Sequence, residues 1–224
     1  MSAPVEANES PGPRGEGPGG RARWIAAIAW LALAAAGFLV LARYASTPGG
    51  SDPAVARRWP DASRLDPPAS RPVLVLFLHP ECPCSRATVE GLARVIARAP
   101  DAYDASALFV PPATAAGTSG LREAAARIPG LRLLEDPGGA EAAHFGARTS
   151  GTVAVYGVDG GRLFFGGITA ARAHEGDSDG SGALLALARG ATPARTETPV
   201  YGCGLAGPVQ AAVPTPAGRD RDGP

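Results

Sequence analysis

Val73-Leu74-Val75-Leu76-Phe77-Leu78-His79-Pro80-Glu81-Cys82-Pro83-Cys84-Ser85-Arg86 is the stretch that decides the fold. Its first six residues are apolar without alternation, the pattern of a central strand buried on both faces and paired in parallel. From Ser85 to Ala99 the apolar positions Val89, Leu92, Val95 and Ile96 recur at helical spacing. Two thiols therefore stand where a buried strand hands over to a helix N-terminus. Unpaired N–H groups and the helix dipole at such a point favour an anion, a thiolate included. Redox chemistry is the leading expectation and metal binding the alternative.

Downstream of this junction the pattern alternates between strands and helices. Ala107–Val110 reads as a strand stopped by Pro111-Pro112. Ser119 is placed to cap a helix through Arg127, ended by Pro129-Gly130. Leu131–Leu134 reads as a strand, Asp136-Pro137-Gly138-Gly139 as a turn, and Ala140–Phe145 as a short helix ended by Gly146. Thr152–Tyr156 and Arg162–Phe165 form a hairpin through Val158-Asp159-Gly160-Gly161. Ser181–Arg189 is the last helix. Parallel strands joined by crossover helices and finished by an antiparallel hairpin give an α/β three-layer sandwich with a mixed central sheet.

Upstream, Trp24 to Ala42 is uncharged over 19 residues. At ~1.5 Å per residue it spans about 28 Å, close to the ~30 Å hydrocarbon core of a bilayer. Arg21 and Arg23 precede it and Arg43 follows, which favours an N-terminus inside and the remainder outside. An uncleaved signal anchor is the expectation, with a cleaved signal peptide as its rival. The expected order is a disordered N-terminus over 1–23, the transmembrane anchor over 24–42, a flexible linker over 43–71, the folded domain over 72–205 and a disordered tail over 206–224. The domain is then placed on the periplasmic side of a bacterial inner membrane, on a single-pass anchor. The formal net charge is zero, which gives no reason to expect a nucleic-acid partner. All basic residues are arginine, and with abundant Ala, Gly and Pro this reads as coding bias. The three cysteines, Cys82, Cys84 and Cys203, are too few for a disulfide scaffold, and their odd number leaves one free, ligating or paired between chains.

Taken together, residues of about 70–190 resemble the thioredoxin-like superfamily, of the TlpA and AhpC/TSA-related kind. The residues carrying the resemblance are Val73–Leu78 into His79-Pro80-Glu81-Cys82, Leu133-Leu134-Glu135-Asp136-Pro137-Gly138-Gly139 with Phe145-Gly146-Ala147-Arg148, and Thr149-Ser150-Gly151-Thr152 with Asp159-Gly160-Gly161-Arg162 and Gly166-Gly167-Ile168. The look is similar to RedB-type membrane-anchored oxidoreductases. The resemblance implies a thioredoxin-like fold, no cofactor beyond redox-active cysteines, and Cys82 as the attacking residue. It also implies two departures. Ser85 stands where a C-x-x-C motif has its second cysteine, Cys84 coming one place early as C-x-C. Gly151 stands where the family has a cis-proline, a residue that helps position substrate and keeps metals off the thiols.

The second half of the chemistry stays open among several residues. Cys84 either resolves Cys82 through a small strained ring, serves as a second soft metal ligand, or points into the core. Cys203 lies 14 residues past Arg189, a reach of up to ~45 Å, so it can return to Cys82 or Cys84 or stay a free thiol in a tail. His79, three before Cys82, can lower a thiol pKa, bind metal or face water. His174, in the loop 168–180, is placed to border the cysteines or to lie in a loop capping the last helix through Asp179 or Ser181. His144 is given no role. His79 occupies the Thr/Ser place of peroxiredoxins, which argues against peroxidase chemistry. The expectation is an oxidoreductase acting on thiols or disulfides of envelope proteins, with a membrane-bound electron donor. The alternatives are a copper-binding module using Cys82, Cys84, His79 and His174, or a fold used only for binding.

Overall fold

The structure is a computed structural model describing residues 18–50, 56–110 and 120–205. Of the expected disordered N-terminus, 1–23, residues 1–17 lie outside those residues while Pro18 onward is helical; the expected tail, 206–224, and the capping role of Ser119 also lie outside them. The chain divides into two units, 1–44 and 45–224. The first is dominated by helix α1 (Pro18–Ser46), whose Trp24, Ile28, Leu31 and Phe38 all present their apolar side chains outward. Within it Gly20–Ser46 is, by length and composition, the one described helix long and apolar enough to cross a membrane.

The second unit follows the order β1 (Val73–Leu78), α2 (Ser85–Arg98), β2 (Asp104–Phe109), α3 (Gly120–Ala126), β3 (Arg132–Glu135), α4 (Ala140–Phe145), β4 (Thr152–Tyr156), β5 (Arg162–Gly166), α5 (Asp179–Ala188) and β6 (Glu197–Thr198). The strands form one mixed sheet in the order β3-β2-β1-β4-β5-β6. β1, β2 and β3 run parallel, while β4 is antiparallel to both β1 and β5. Every residue of β1 is buried, as its unbroken apolar run requires. Leu74, Leu76 and Leu78 face α2, α3 and α5 through Val89, Leu92, Leu121 and Leu184. Val73, Val75 and Phe77 face Phe145 and Tyr156 on the other side. Each such side chain contributes ~1.5–3 kcal/mol of burial.

The structure extends and corrects the element boundaries in four places. The second strand begins at Asp104, three residues before the apolar stretch that marked it, because its early residues Ala105 and Ser106 are small and still buried. The last helix is capped by Ser178, whose hydroxyl accepts from the Ser181 N–H while the Ser181 hydroxyl accepts from the Ser178 N–H, rather than by Asp179 or Ser181. A sixth strand, β6, pairs in parallel with β5 through Phe165↔Glu197 and Gly166↔Thr198. Finally, residues 56–66 are not tether. Trp59 packs edge-on against Phe145 and Tyr156, with ring centroids 5.1 and 5.3 Å apart, and its N–H donates to Gly160 O at 2.8 Å.

The register determines what meets at one end of the sheet. Phe77 pairs with Thr152, so the chain leaving β1 passes the chain entering β4. Gly166 pairs with Val153, so β5 runs back to the same end, and parallel β6 delivers Pro199 there as well.

Candidate active site

Three segments share that end: His79–Ser85 after β1, Thr149–Gly151 before β4, and Pro199–Leu205 after β6. The last folds across the second. Ser150 N–H donates to Cys203 O at 2.8 Å, Leu205 N–H donates to Arg148 O at 2.9 Å, and Thr149 bridges Gly204 in antiparallel fashion. Gly202 is needed for this approach, because a Cβ there would run into Ser150 O. The segment 199–205 is thus a strap over the strand–helix junction.

Cys82 lies under the strap, 2% exposed. The Cys203 N–H donates to its Sγ at 3.4 Å. Burial alone would raise the Cys82 pKa. Hydrogen bonds from the Ser85 hydroxyl, the Cys203 thiol and the backbone N–H groups of Cys203 and Ser85 outweigh it, and hold the thiol below its ordinary value of 9.0. Cys203 moves the other way, to about 11. Burial comes first, then donation of its proton to Cys82 and the negative charge of Cys82 and Cys84, with Arg172 opposing. Of the two cysteines, Cys82 is therefore the one whose surroundings favour loss of the proton and Cys203 the one whose surroundings favour keeping it.

The Ser85 hydroxyl belongs to a directed relay. Its oxygen lies 2.7 Å from Ser150 Oγ, and Ser150 Oγ accepts the His79 N–H at 2.7 Å. When Ser85 gives its one proton to a Cys82 thiolate, Ser150 donates to Ser85, and the order runs His79 N–H, Ser150, Ser85, Cys82. The serine that stands at the second cysteine of C-x-x-C is thus able to donate to a thiolate. Sequence reasoning placed Ser85 here but gave Ser150 no role.

Gly151 adopts φ +93°, and its N–H donates to Phe77 O at 2.8 Å. A proline could make neither, since its φ is fixed near −65° and it has no N–H. The departure at 151 is therefore matched by the backbone around it. Cys84 is the N-cap of α2, nearly buried, with helical φ and ψ and no capping hydrogen bond from its side chain.

The histidines do not take the positions the metal alternative needs. His79 Nδ1 accepts the Glu81 N–H at 3.2 Å. His174 is exposed, and its N–H donates to Ala171 O at 3.3 Å. No group of three or more His, Cys, Asp or Glu side chains among the described residues is placed to hold a metal ion. From the loop 168–180 it is Arg172, not His174, that reaches the strap, donating from Nη1 to Gly202 O at 2.6 Å. No sequence pattern marked Arg172.

No protein-family model and no curated protein matches this chain. Among solved structures it is similar to a hypothetical protein from Sinorhizobium meliloti, at a TM-score of 0.55 and 20% identity over 70% of this chain and 97% of that one. It is similar also to an uncharacterized conserved protein from Geobacillus kaustophilus, at a TM-score of 0.52 and 17% identity over 74% and 95%. A looser likeness, to a secreted Mycobacterium tuberculosis disulfide oxidoreductase homologous to E. coli DsbE, has a TM-score of 0.33 and 20% identity over 42% and 67%. The six-stranded mixed sheet between helical layers, with the cysteines at the end of its central strand, is a thioredoxin-like fold.

Proposed function

We propose that this protein is a membrane-anchored thiol–disulfide oxidoreductase whose redox pair is Cys82 and Cys203. The observation that carries the reading is the contact between the two cysteines under the strap, where the Cys203 N–H donates to Cys82 Sγ at 3.4 Å. Two adjacent thiols are the reduced form of a pair that closes by losing two electrons and two protons, and exchange with a substrate passes through a mixed disulfide. Cys84 sits outside this pair at the start of α2. The apolar helix α1, with Arg21 and Arg23 before its uncharged stretch, supports a single-pass anchor with the domain on the periplasmic side. Cysteines of envelope proteins are then the substrates, and a membrane-bound donor or acceptor of electrons the partner.

The test is equilibration of the detergent-solubilised full chain in glutathione redox buffers, with disulfides mapped by mass spectrometry. A reversible transition forming Cys82–Cys203, and exchange with a model disulfide lost in Cys82→Ser and Cys203→Ser, is expected. Lack of exchange together with stoichiometric Cu(I) binding lost in Cys82→Ser would sink the reading in favour of a metal-binding module.

A further inference from the structure

We infer that substrate sulfur joins the enzyme at Cys203, and that Cys82 is the buried sulfur that leaves and returns. The inference rests on the oxidoreductase reading above. It reverses the roles that the resemblance implied, in which Cys82 meets the substrate.

Access is the first argument. Cys82 is 2% exposed beneath the strap, whereas Cys203 is partly exposed and its neighbour Gly204 is exposed. The strap is fastened at many points. Gly49 N–H donates to Val200 O at 2.8 Å, Ser150 N–H to Cys203 O and Leu205 N–H to Arg148 O, and Arg172 holds Gly202 O. These bonds hold the strap over Cys82, whereas Cys203 lies on the strap itself and is partly exposed.

Direction is the second. A thiolate attacks a disulfide in line with the S–S bond, on the side away from the leaving sulfur. The chain at Cys203 and Gly204 is in part open to solvent, whereas Cys82, Ser85 and Ser150 are all at 2% exposure or less, which leaves an incoming thiolate its room on the Cys203 side.

Charge is the third. The sulfur that departs takes the electron pair, and exchange is faster when that thiolate is stabilised. Cys82 has the donors: the Ser85 hydroxyl backed by Ser150, and N–H groups of Ser85 and Cys203. Cys203 faces the negative charge of Cys82 and Cys84 instead. The step is balanced as R–S⁻ plus Cys82–S–S–Cys203 giving R–S–S–Cys203 plus Cys82–S⁻. One S–S bond forms, one breaks, and no proton moves. Run backwards, the Cys82 thiolate attacks the Cys203 sulfur of the mixed disulfide and releases R–S⁻. In both of these steps the mixed disulfide is on Cys203.

The experiment treats the oxidised full chain in detergent with excess reduced glutathione. Samples are acid-quenched on the millisecond scale, free thiols are blocked, and the glutathionylated peptides are mapped. Glutathione on Cys203 in at least tenfold excess over Cys82 is the expected result. In Cys82→Ser incubated with glutathione disulfide, the Cys203 adduct should persist, because the sulfur that expels it has been removed. Glutathione mainly on Cys82 or Cys84, or equally on Cys82 and Cys203, overturns the inference and leaves the redox pair standing. Failure of oxidised protein to contain a Cys82–Cys203 disulfide overturns both.

Discussion

The Cys203 N–H lies 3.4 Å from Cys82 Sγ although 121 residues separate the two in sequence. The contact depends on the chain past β6 folding over the sheet end, and Gly202 is the tightest point of that fold. A methyl group at 202 has no room against Ser150 O. Gly202→Ala is therefore expected to lift the strap. Cys82 loses two of its hydrogen-bond donors, so its pKa rises, while its alkylation by iodoacetamide at pH 10 becomes faster because it is uncovered. Thiolate absorbance at 240 nm and alkylation kinetics read the two effects separately, and unchanged values in both would remove the strap from the argument.

Gly151 makes a second expectation. Gly151→Pro loses the N–H bond to Phe77 O and demands a φ that the fold does not provide, at a cost of roughly 3 kcal/mol or more. Gly151→Ala keeps the N–H but holds a side chain at φ +93° with its Cβ 3.0 Å from Thr88 Oγ1, costing about 1–3 kcal/mol. Denaturant unfolding should rank wild type above alanine above proline. A proline variant as stable as wild type would show that the family's usual residue fits this backbone after all.

Those two glycines mark how far the sequence could be read. Val73–Leu78 was legible in full because every position is buried, so the pattern has no solvent face to blur it. The hairpin and α4 were legible from glycines and turn residues with fixed meanings. β6 was not, since two residues, Glu197 and Thr198, carry no period. Trp59 was hidden inside a Pro, Asp and Arg rich stretch whose composition imitates a tether. The site was legible at Cys82, where a thiol meets a strand end. Ser150 and Arg172 were not, because a hydroxyl relay and a single guanidinium clamp arise from segments that meet only in the folded chain.

Trp59 gives the third expectation. Its rings meet Phe145 and Tyr156 edge-on, and aromatic pairs add about 0.5–1.5 kcal/mol each beyond area burial. With its partial burial included, Trp59→Ala is expected to destabilise the domain by roughly 2–4 kcal/mol. A change within about 0.5 kcal/mol, the range of ordinary surface substitutions, would return residues 56–66 to the role of a tether.

Ser85 gives the fourth, and its sign follows from the relay. Ser85 donates to the Cys82 thiolate, so it stabilises the charged form, and removing it must raise the Cys82 pKa. Because that pKa is depressed in the folded state, it contributes stability above the ordinary thiol value of 9.0 that is lost as pH falls through the folded value. Ser85→Ala should shrink this contribution, so the difference in stability between wild type and variant is largest at alkaline pH and fades on acidification. Ser150→Ala acts only through Ser85 and should shift the Cys82 titration in the same direction by less. The pair of variants is read by 240 nm titration and by urea unfolding at several pH values. A lowered pKa in Ser85→Ala, or a larger shift in Ser150→Ala than in Ser85→Ala, would contradict the order of the relay.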